Sequence, residues 1–181
     1  MKTKTQILTI LFTAIALFIG VQSNAQSVPP SKLRFGIGVD GLLPVDNLSN
    51  STNFGLGITP RLQYGLTNHV ALTFTSGIYH FFPKDIPLSF NGQSYTTHYD
   101  LDLIPVKLGI KAFVTPHIYL GAEAGMGFQV DNGGGDSKYL ASGAIGYANK
   151  KWDIGVRYEN FSGNGYRNGI IGLRLAYGFG L

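Results

Sequence analysis

Apolar and polar residues alternate strictly along the last stretch of this chain. Ile171, Leu173, Leu175, Tyr177, Phe179 and Leu181 share one phase, while Gly172, Arg174, Ala176, Gly178 and Gly180 share the other. A period of two marks a β-strand, because successive side chains point to opposite faces. Seven earlier segments repeat it. Leu33, Phe35, Ile37 and Val39 alternate with Arg34, Gly36, Gly38 and Asp40. Phe54 to Leu66 sets its apolar residues against Gly55, Gly57, Thr59, Arg61, Gln63 and Gly65, and Val70 to Ile78 sets them against Ala71, Thr73, Thr75 and Gly77. Val106, Leu108 and Ile110 oppose Lys107, Gly109 and Lys111, while Ile118 to Phe128 opposes Tyr119, Gly121, Glu123, Gly125 and Gln129. Tyr139, Ala141, Ile145 and Tyr147 form a weaker stripe, and Trp152, Ile154, Val156 and Tyr158 oppose Asp153, Gly155, Arg157 and Glu159. No helical period follows residue 26, so the pattern predicts eight strands and an all-β chain.

The joints between the strands alternate too. Those at Thr67-Asn68-His69, Thr115-Pro116-His117 and Asn149-Lys150-Lys151 are tight, whereas those near 43–53, 80–99, 131–137 and 161–168 are long and rich in Gly, Asn, Ser and Asp. Short turns at one end and long loops at the other are the layout of an outer-membrane barrel, and segments of about ten residues suit a tilted transmembrane strand. An even count lets the first strand close on the last, which predicts an eight-stranded antiparallel up-and-down transmembrane β-barrel. Within the second long joint, Ile86, Leu88 and Phe90 lead to Asn91-Gly92, and Tyr95 and Thr97 lead away. Asn-Gly between alternating residues is a strong two-residue hairpin signal. It predicts a hairpin with its tip at Asn91 and Gly92, either projecting beyond the membrane or folded over the lumen.

Charge decides which phase faces inward. Arg34, Arg61, Lys107, Lys111, Glu123, Asp153, Arg157, Glu159 and Arg174 all fall on the Gly/Ala/Thr phase, and none falls on the phase of Leu, Phe and Tyr. A secreted lipocalin-like barrel would turn its apolar phase inward around a ligand and its other phase to water. That phase would hardly be so rich in Gly. In a membrane barrel it faces a narrow lumen, and a cation facing lipid at mid-depth would instead cost roughly 2–4 kcal/mol. The nine residues are therefore expected to form a lumen charge network.

Composition agrees. Charged residues make up 13% of the chain beside 25 Gly, 12 Phe and 10 Tyr, whereas soluble domains carry about 25% charge. The N-terminus supplies an address: Lys2 and Lys4, an apolar run from Ile7 to Gly20, then Ser23-Asn24-Ala25 before Gln26. This is the layout of a cleaved secretory signal, and the run is short of the ~20 residues that a membrane helix needs. Residues 1–25 are read as a signal peptide and 26–181 as the barrel domain, in the outer membrane of a Gram-negative-type cell. Of 14 Lys and Arg, two leave with the signal, so 12 face 10 Asp and Glu. That balance gives no case for nucleic acid. The chain has no Cys, which excludes disulfides and a lipid-anchored N-terminus.

One hairpin carries a resemblance. Ile104-Pro105-Val106-Lys107-Leu108-Gly109-Ile110-Lys111-Ala112-Phe113, then Thr115-Pro116 and Ile118-Tyr119-Leu120-Gly121-Ala122-Glu123-Ala124-Gly125, resembles the outer-membrane β-barrel domain (porin-like) family, the small OmpA/OmpX-type barrels. The chain departs from it at Leu181, where an aromatic residue commonly closes such barrels; Phe179 keeps an aromatic in phase. The resemblance implies a fold and a location, and no catalytic residues.

Other chemistry is thin. An enzyme acting on lipid A at the outer rim would need a His with a hydroxyl or acidic partner. His69 and His117 lie in tight turns; only His80 and His98 lie on the loop side, with Asp85, Ser94, Asp100 and Asp102 near in sequence. These are read as rim or loop residues without a catalytic partner. No two His share ligand spacing, and Asp131-Asn132-Gly133-Gly134-Gly135-Asp136 lacks the closing Glu of a calcium loop. No catalytic, metal or cofactor site is expected.

An eight-stranded barrel is only just wide enough for side chains to fill, so six cations and three anions should interlock. The expected role is structural or surface-interacting, with a narrow passive channel as the alternative. Expected partners are outer-membrane lipid, the barrel assembly machinery and an extracellular protein at the outer loops, the barrel itself being a monomer. A turn centred near Thr115 would set Lys107 opposite Glu123, and Lys111 opposite Tyr119, as cross-strand pairs.

Overall fold

The computed structural model describes residues 32–84, 86–90, 93–97, 101–130, 137–163 and 166–180. The expected signal peptide and the Asp131 to Asp136 loop lie outside the described residues.

The eight alternating segments become strands, the third split in two, and the predicted hairpin adds two more: β1 (Leu33–Asp46), β2 (Thr52–Gly65), β3 (Val70–Ser76), β4 (Ile78–Pro83), β5 (Ile86–Phe90), β6 (Gln93–Thr97), β7 (Leu101–Phe113), β8 (Ile118–Gln129), β9 (Ser137–Ala148), β10 (Trp152–Gly163) and β11 (Tyr166–Gly180). All pairings are antiparallel. β1 pairs with β2 on one side and β11 on the other, so the wall closes into a barrel. β3 and β4 share one wall position between β2 and β7, which makes eight staves. β5 and β6 form a separate two-stranded hairpin, in register from Ile86 with Thr97 to Phe90 with Gln93. The expected tip residues, Asn91 and Gly92, lie outside the described residues.

The interruption between β3 and β4 has a local cause. Ser76 pairs with Val106 and Tyr79 with Leu103, so Gly77 stands opposite Pro105, which has no N–H to donate. Gly77 adopts φ +148°, and a side chain there would run into the backbone of Ile58 and Thr59 on β2. Register continues unchanged on both sides of it.

The three tight turns are held by their own side chains. The Thr67 hydroxyl accepts from the N–H groups of His69 and Val70, and Thr115 accepts from His117 and Ile118. Asn149 Oδ1 does the same for Lys151 and Trp152, at 2.8 Å each. These are the short side-chain turns that Asn and Thr favour.

Several staves run further than the alternation predicts. β1 extends to Asp46, past Pro44, because beyond Leu42 it pairs only with β11 and Pro44 loses nothing on the open side. The expected loop at 43–53 shrinks to a 3-10 turn at Asn47–Asn50. β7 begins at Leu101, and β4 carries the third stave on to Pro83.

Outside, the wall is apolar. Ile37, Val39, Ile58, Leu72, Leu108, Ile110, Ile145, Val156 and Leu173 are exposed, Leu108 at 67%. Aromatic residues gather towards both ends: Trp152 packs on Tyr177 and Tyr177 on Phe179 at the turn end, and Phe54 stacks on Phe82 at the loop end. This is an apolar band flanked by aromatic girdles.

Candidate functional site

The lumen is the candidate site, and the inward phase of every stave builds it. All nine charged residues predicted for it point inward; Lys107 and Glu159 are fully buried and Lys111, Arg157 and Arg174 nearly so. Sequence reasoning passed over a tenth member. Asp40 is fully buried and anchors two arginines, and its place on the inward phase of β1 was the available signal.

The charges are wired from stave to stave. Towards the loop end, Arg157 on β10 reaches Asp40 on β1 at 2.6 Å and donates to the Tyr79 hydroxyl on β4 at 2.8 Å. Its Nε lies 2.6 Å from Glu159 Oε1, though too poorly aligned to count as a hydrogen bond. Lys107 on β7 bonds Glu159 across the lumen and donates to Tyr79 at 3.1 Å. One step nearer the turns, Arg174 on β11 bonds the Thr59 hydroxyl and carbonyl, reaches over Gly38 and lies 3.5 Å from Asp40. Thr59 in turn donates to Asp40.

In the middle, Arg61 on β2 meets Glu123 on β8 at 3.0 Å, and the Thr75 and Thr73 hydroxyls donate to the same carboxylate oxygen. Towards the turns, Lys111 meets Asp153 at 2.5 Å and Tyr119 donates to Asp153 at 2.7 Å. The Lys111 ammonium also stands 3.7 Å from the centre of the Tyr119 ring, close enough for a cation–π contact. Arg34 donates to the Asn149 carbonyl at 2.9 Å.

The predicted Lys107–Glu123 register is corrected. Lys107 faces Gly125, Glu123 faces Gly109, Lys111 faces Gly121 and Tyr119 faces Phe113. The Thr115 cap makes a longer turn, closed by Val114 and Thr115 N–H groups on the Ile118 carbonyl, which moves its centre to Pro116 and shifts the register by two. Long side chains bridge the offset: Lys107 lies 3.4 Å from Glu123 along the diagonal. Its shorter contact is with Glu159, a partner that only barrel closure brings near.

Glycines make room for this crowding. A methyl group on Gly57 would lie 2.6 Å from the Tyr79 ring, and one on Gly155 would lie 2.6 Å from the Tyr119 hydroxyl. Even so, two cavities of about 20 Å³ persist among the charged side chains.

Loop-ward of the charges the inward phase changes character. Leu42, Tyr79, Phe81, Leu103, Leu140, Phe161 and Ile170 form one buried cluster. Sequence reasoning missed it, placing Phe81 and Phe161 in loops. At the turn end, Phe113, Tyr119 and Ala148 form a smaller one. The polar network thus lies between two apolar layers.

The histidines fall apart as a group. His69 and His117 sit at the turn end, where His117 stacks on Tyr147. His80 is not partnerless as expected: it faces Asp102 across β4 and β7, and its Nδ1 lies 2.7 Å from Asp102 Oδ1 on the outer wall. His98, Asp85 and Asp100 lie outside the described residues, as do the side-chain surroundings of Ser94. Among the described residues no hydroxyl joins the His80–Asp102 pair. No group of three or more metal-binding side chains occurs among the described residues.

Comparison with known proteins places the fold. No sequence-family description matches the chain, and no curated protein matches it. Among solved structures, the attachment invasion locus protein Ail of Yersinia pestis is similar at 12% identity and TM-score 0.54, over 83% of this chain and 99% of Ail. Ail in a phospholipid bilayer nanodisc is similar at 12% identity and TM-score 0.54, over 82% of this chain and 99% of that one. The N-terminal β-barrel domain of Pseudomonas aeruginosa OprF is similar at 14% identity and TM-score 0.51, over 81% of this chain and 97% of that domain. The fold is that of the small eight-stranded outer-membrane barrels.

Proposed function

We propose that the chain is an integral outer-membrane protein that acts as a closed scaffold, presenting its loop end to the cell exterior, rather than as a solute channel or an enzyme. The observation that carries this reading is the combination of an apolar outer wall with a lumen whose carboxylates are all paired with cations and which is capped by the cluster around Phe81 and Phe161. Apolar side chains outside suit lipid, and interlocked charges beneath an apolar layer leave no continuous path for ions through the lumen. Export through a cleaved signal over residues 1–25 and insertion as a monomer by the barrel assembly machinery belong to the same reading.

Surface interaction is the role this scaffold fits best. The β5–β6 hairpin extends the chain at the loop end with strands that can offer edges for pairing with an extracellular protein. The narrow channel is the second reading, supported by the two cavities inside the lumen.

Two measurements test the proposal. Cell fractionation should recover a heat-modifiable band in the outer membrane, and soluble recovery from the periplasm would overturn membrane residence. Refolded protein in a planar bilayer should show no unitary conductance, and regular ion steps would transfer the assignment to the channel.

A further inference from the structure

We propose that the turn end of the lumen binds a single monovalent inorganic anion of about chloride size, held by Arg34, Arg174 and Gln63. The inference starts from charge. Among the described residues the lumen holds six cations, Arg34, Arg61, Lys107, Lys111, Arg157 and Arg174, against four carboxylates, Asp40, Glu123, Asp153 and Glu159. Glu159 and Glu123 are taken up by Lys107, Arg157 and Arg61, and Asp153 by Lys111. Asp40 is shared, with Arg157 at 2.6 Å and Arg174 only at 3.5 Å. Arg34 has no carboxylate within ion-pair distance among the described residues. The surplus is therefore located at Arg34 and Arg174.

Hydrogen bonding singles out the same place. Arg34 Nη2, Arg174 Nε and Gln63 Nε2 are buried donors without a partner. All three residues line one cavity of about 20 Å³, alongside Arg61 and Asp153. Gln63 and Arg174 are 4% and 3% exposed, so bulk water does not satisfy them. A buried unpaired donor is destabilising, and more so when it is charged. A cavity of this size admits one water-sized or halide-sized particle, which is too small for phosphate, sulfate or a carboxylated solute. Water would satisfy donors without offsetting charge; a halide does both.

Access is from the turn side. Arg34 opens β1, Gln63 lies near the end of β2, and Gly178 near the end of β11 completes the wall. The loop-end cluster stands beyond the charge network, so an ion entering here reaches a blind site rather than a path through.

The test uses refolded full-length barrel in detergent, unfolded by urea at constant ionic strength with chloride replaced stepwise by gluconate, which the cavity cannot admit. The unfolding midpoint should rise with the logarithm of chloride concentration, as linkage requires for a ligand bound only by the folded state. Arg34→Gln, which removes the charge near the start of β1 and whose closure the heat-modifiable gel shift checks, should abolish that dependence. Gln63→Glu should abolish it differently, since the carboxylate supplies the missing charge and holds the chloride-free midpoint near the chloride-saturated value of the parent protein. Crystals grown in bromide should show an anomalous peak between Arg34 and Arg174. A parent midpoint identical in chloride and gluconate, or a site filled in bromide without anomalous signal, would assign the cavity to water and overturn the proposal.

Discussion

At the scale of single residues, the barrel interior turns on which carboxylate Lys107 answers to. Glu159 bonds it directly with both side chains fully buried, whereas Glu123 stands 3.4 Å away and is also held by Arg61, Thr73 and Thr75. Removing one member of a buried pair strands the other, at about 3–5 kcal/mol. Glu159→Gln is therefore expected to cost about that much in urea unfolding, because Lys107 loses its direct counter-charge and keeps only the more distant Glu123, while Arg157 keeps Asp40 alone. Glu123→Gln should cost less, since its amide can still accept from the two threonines. A double-mutant cycle with Lys107→Met should show strong coupling to Glu159 and weak coupling to Glu123; the reverse order would mean that neighbouring staves, rather than opposite ones, set the pairing. The turns offer a second check. Asn149→Ala removes two acceptor contacts to Lys151 and Trp152 and should destabilise by about 1–2 kcal/mol at ordinary hydrogen-bond values, with Asn149→Asp restoring most of it. No loss in the alanine variant would show that the strands alone hold this turn.

Between residues and fold lies the stave, and here the alternation of the chain was informative in one dimension and silent in another. It marks the face on which each side chain stands, so the inward placement of Arg34, Lys111 or Glu159 was legible from the sequence. It does not mark depth along the barrel axis. Leu42, Leu103, Leu140, Phe161 and Ile170 continue the same inward phase, yet they form an apolar layer because all stand towards the loop end, a fact that only register supplies. Partnership across the lumen was hidden for the same reason. Lys107 and Glu159 are far apart in sequence and meet only because the wall closes. Tyr79, which hydrogen bonds to three charged side chains, escaped notice because Gly77 interrupts its stave. That interruption is itself testable. Gly77→Ala places a methyl group against the β2 backbone at φ +148° and should cost about 1–3 kcal/mol, the range for an unfavourable backbone conformation. Amide exchange is then expected to quicken first in β4 and the adjoining part of β2; a variant as stable as the parent would mean that the strand can shift sideways at no cost.

For the whole molecule the question is what keeps the lumen shut. Two seals stand in series: a charge network drawn from β1, β2, β7, β8, β10 and β11, and the apolar cluster on its loop side. Their failure modes differ. Polar side chains can exchange their partners for water and so tolerate wetting, whereas an apolar layer blocks ions by excluding water outright. The apolar cluster should therefore be the tighter seal, with Phe161 among its largest members. Phe161→Ala is expected to cost about 3–5 kcal/mol as a core truncation, and the heat-modifiable gel shift would establish that the barrel still closes. In a planar bilayer this variant should pass small ions where the parent passes none. The passage should favour anions, since six lumen cations face four carboxylates among the described residues. Glu159→Gln, measured alongside, should stay closed because the phenylalanine layer remains. A silent Phe161→Ala beside a conducting Glu159→Gln would move the seal to the charges, and a parent protein that already conducts would remove the closed scaffold altogether.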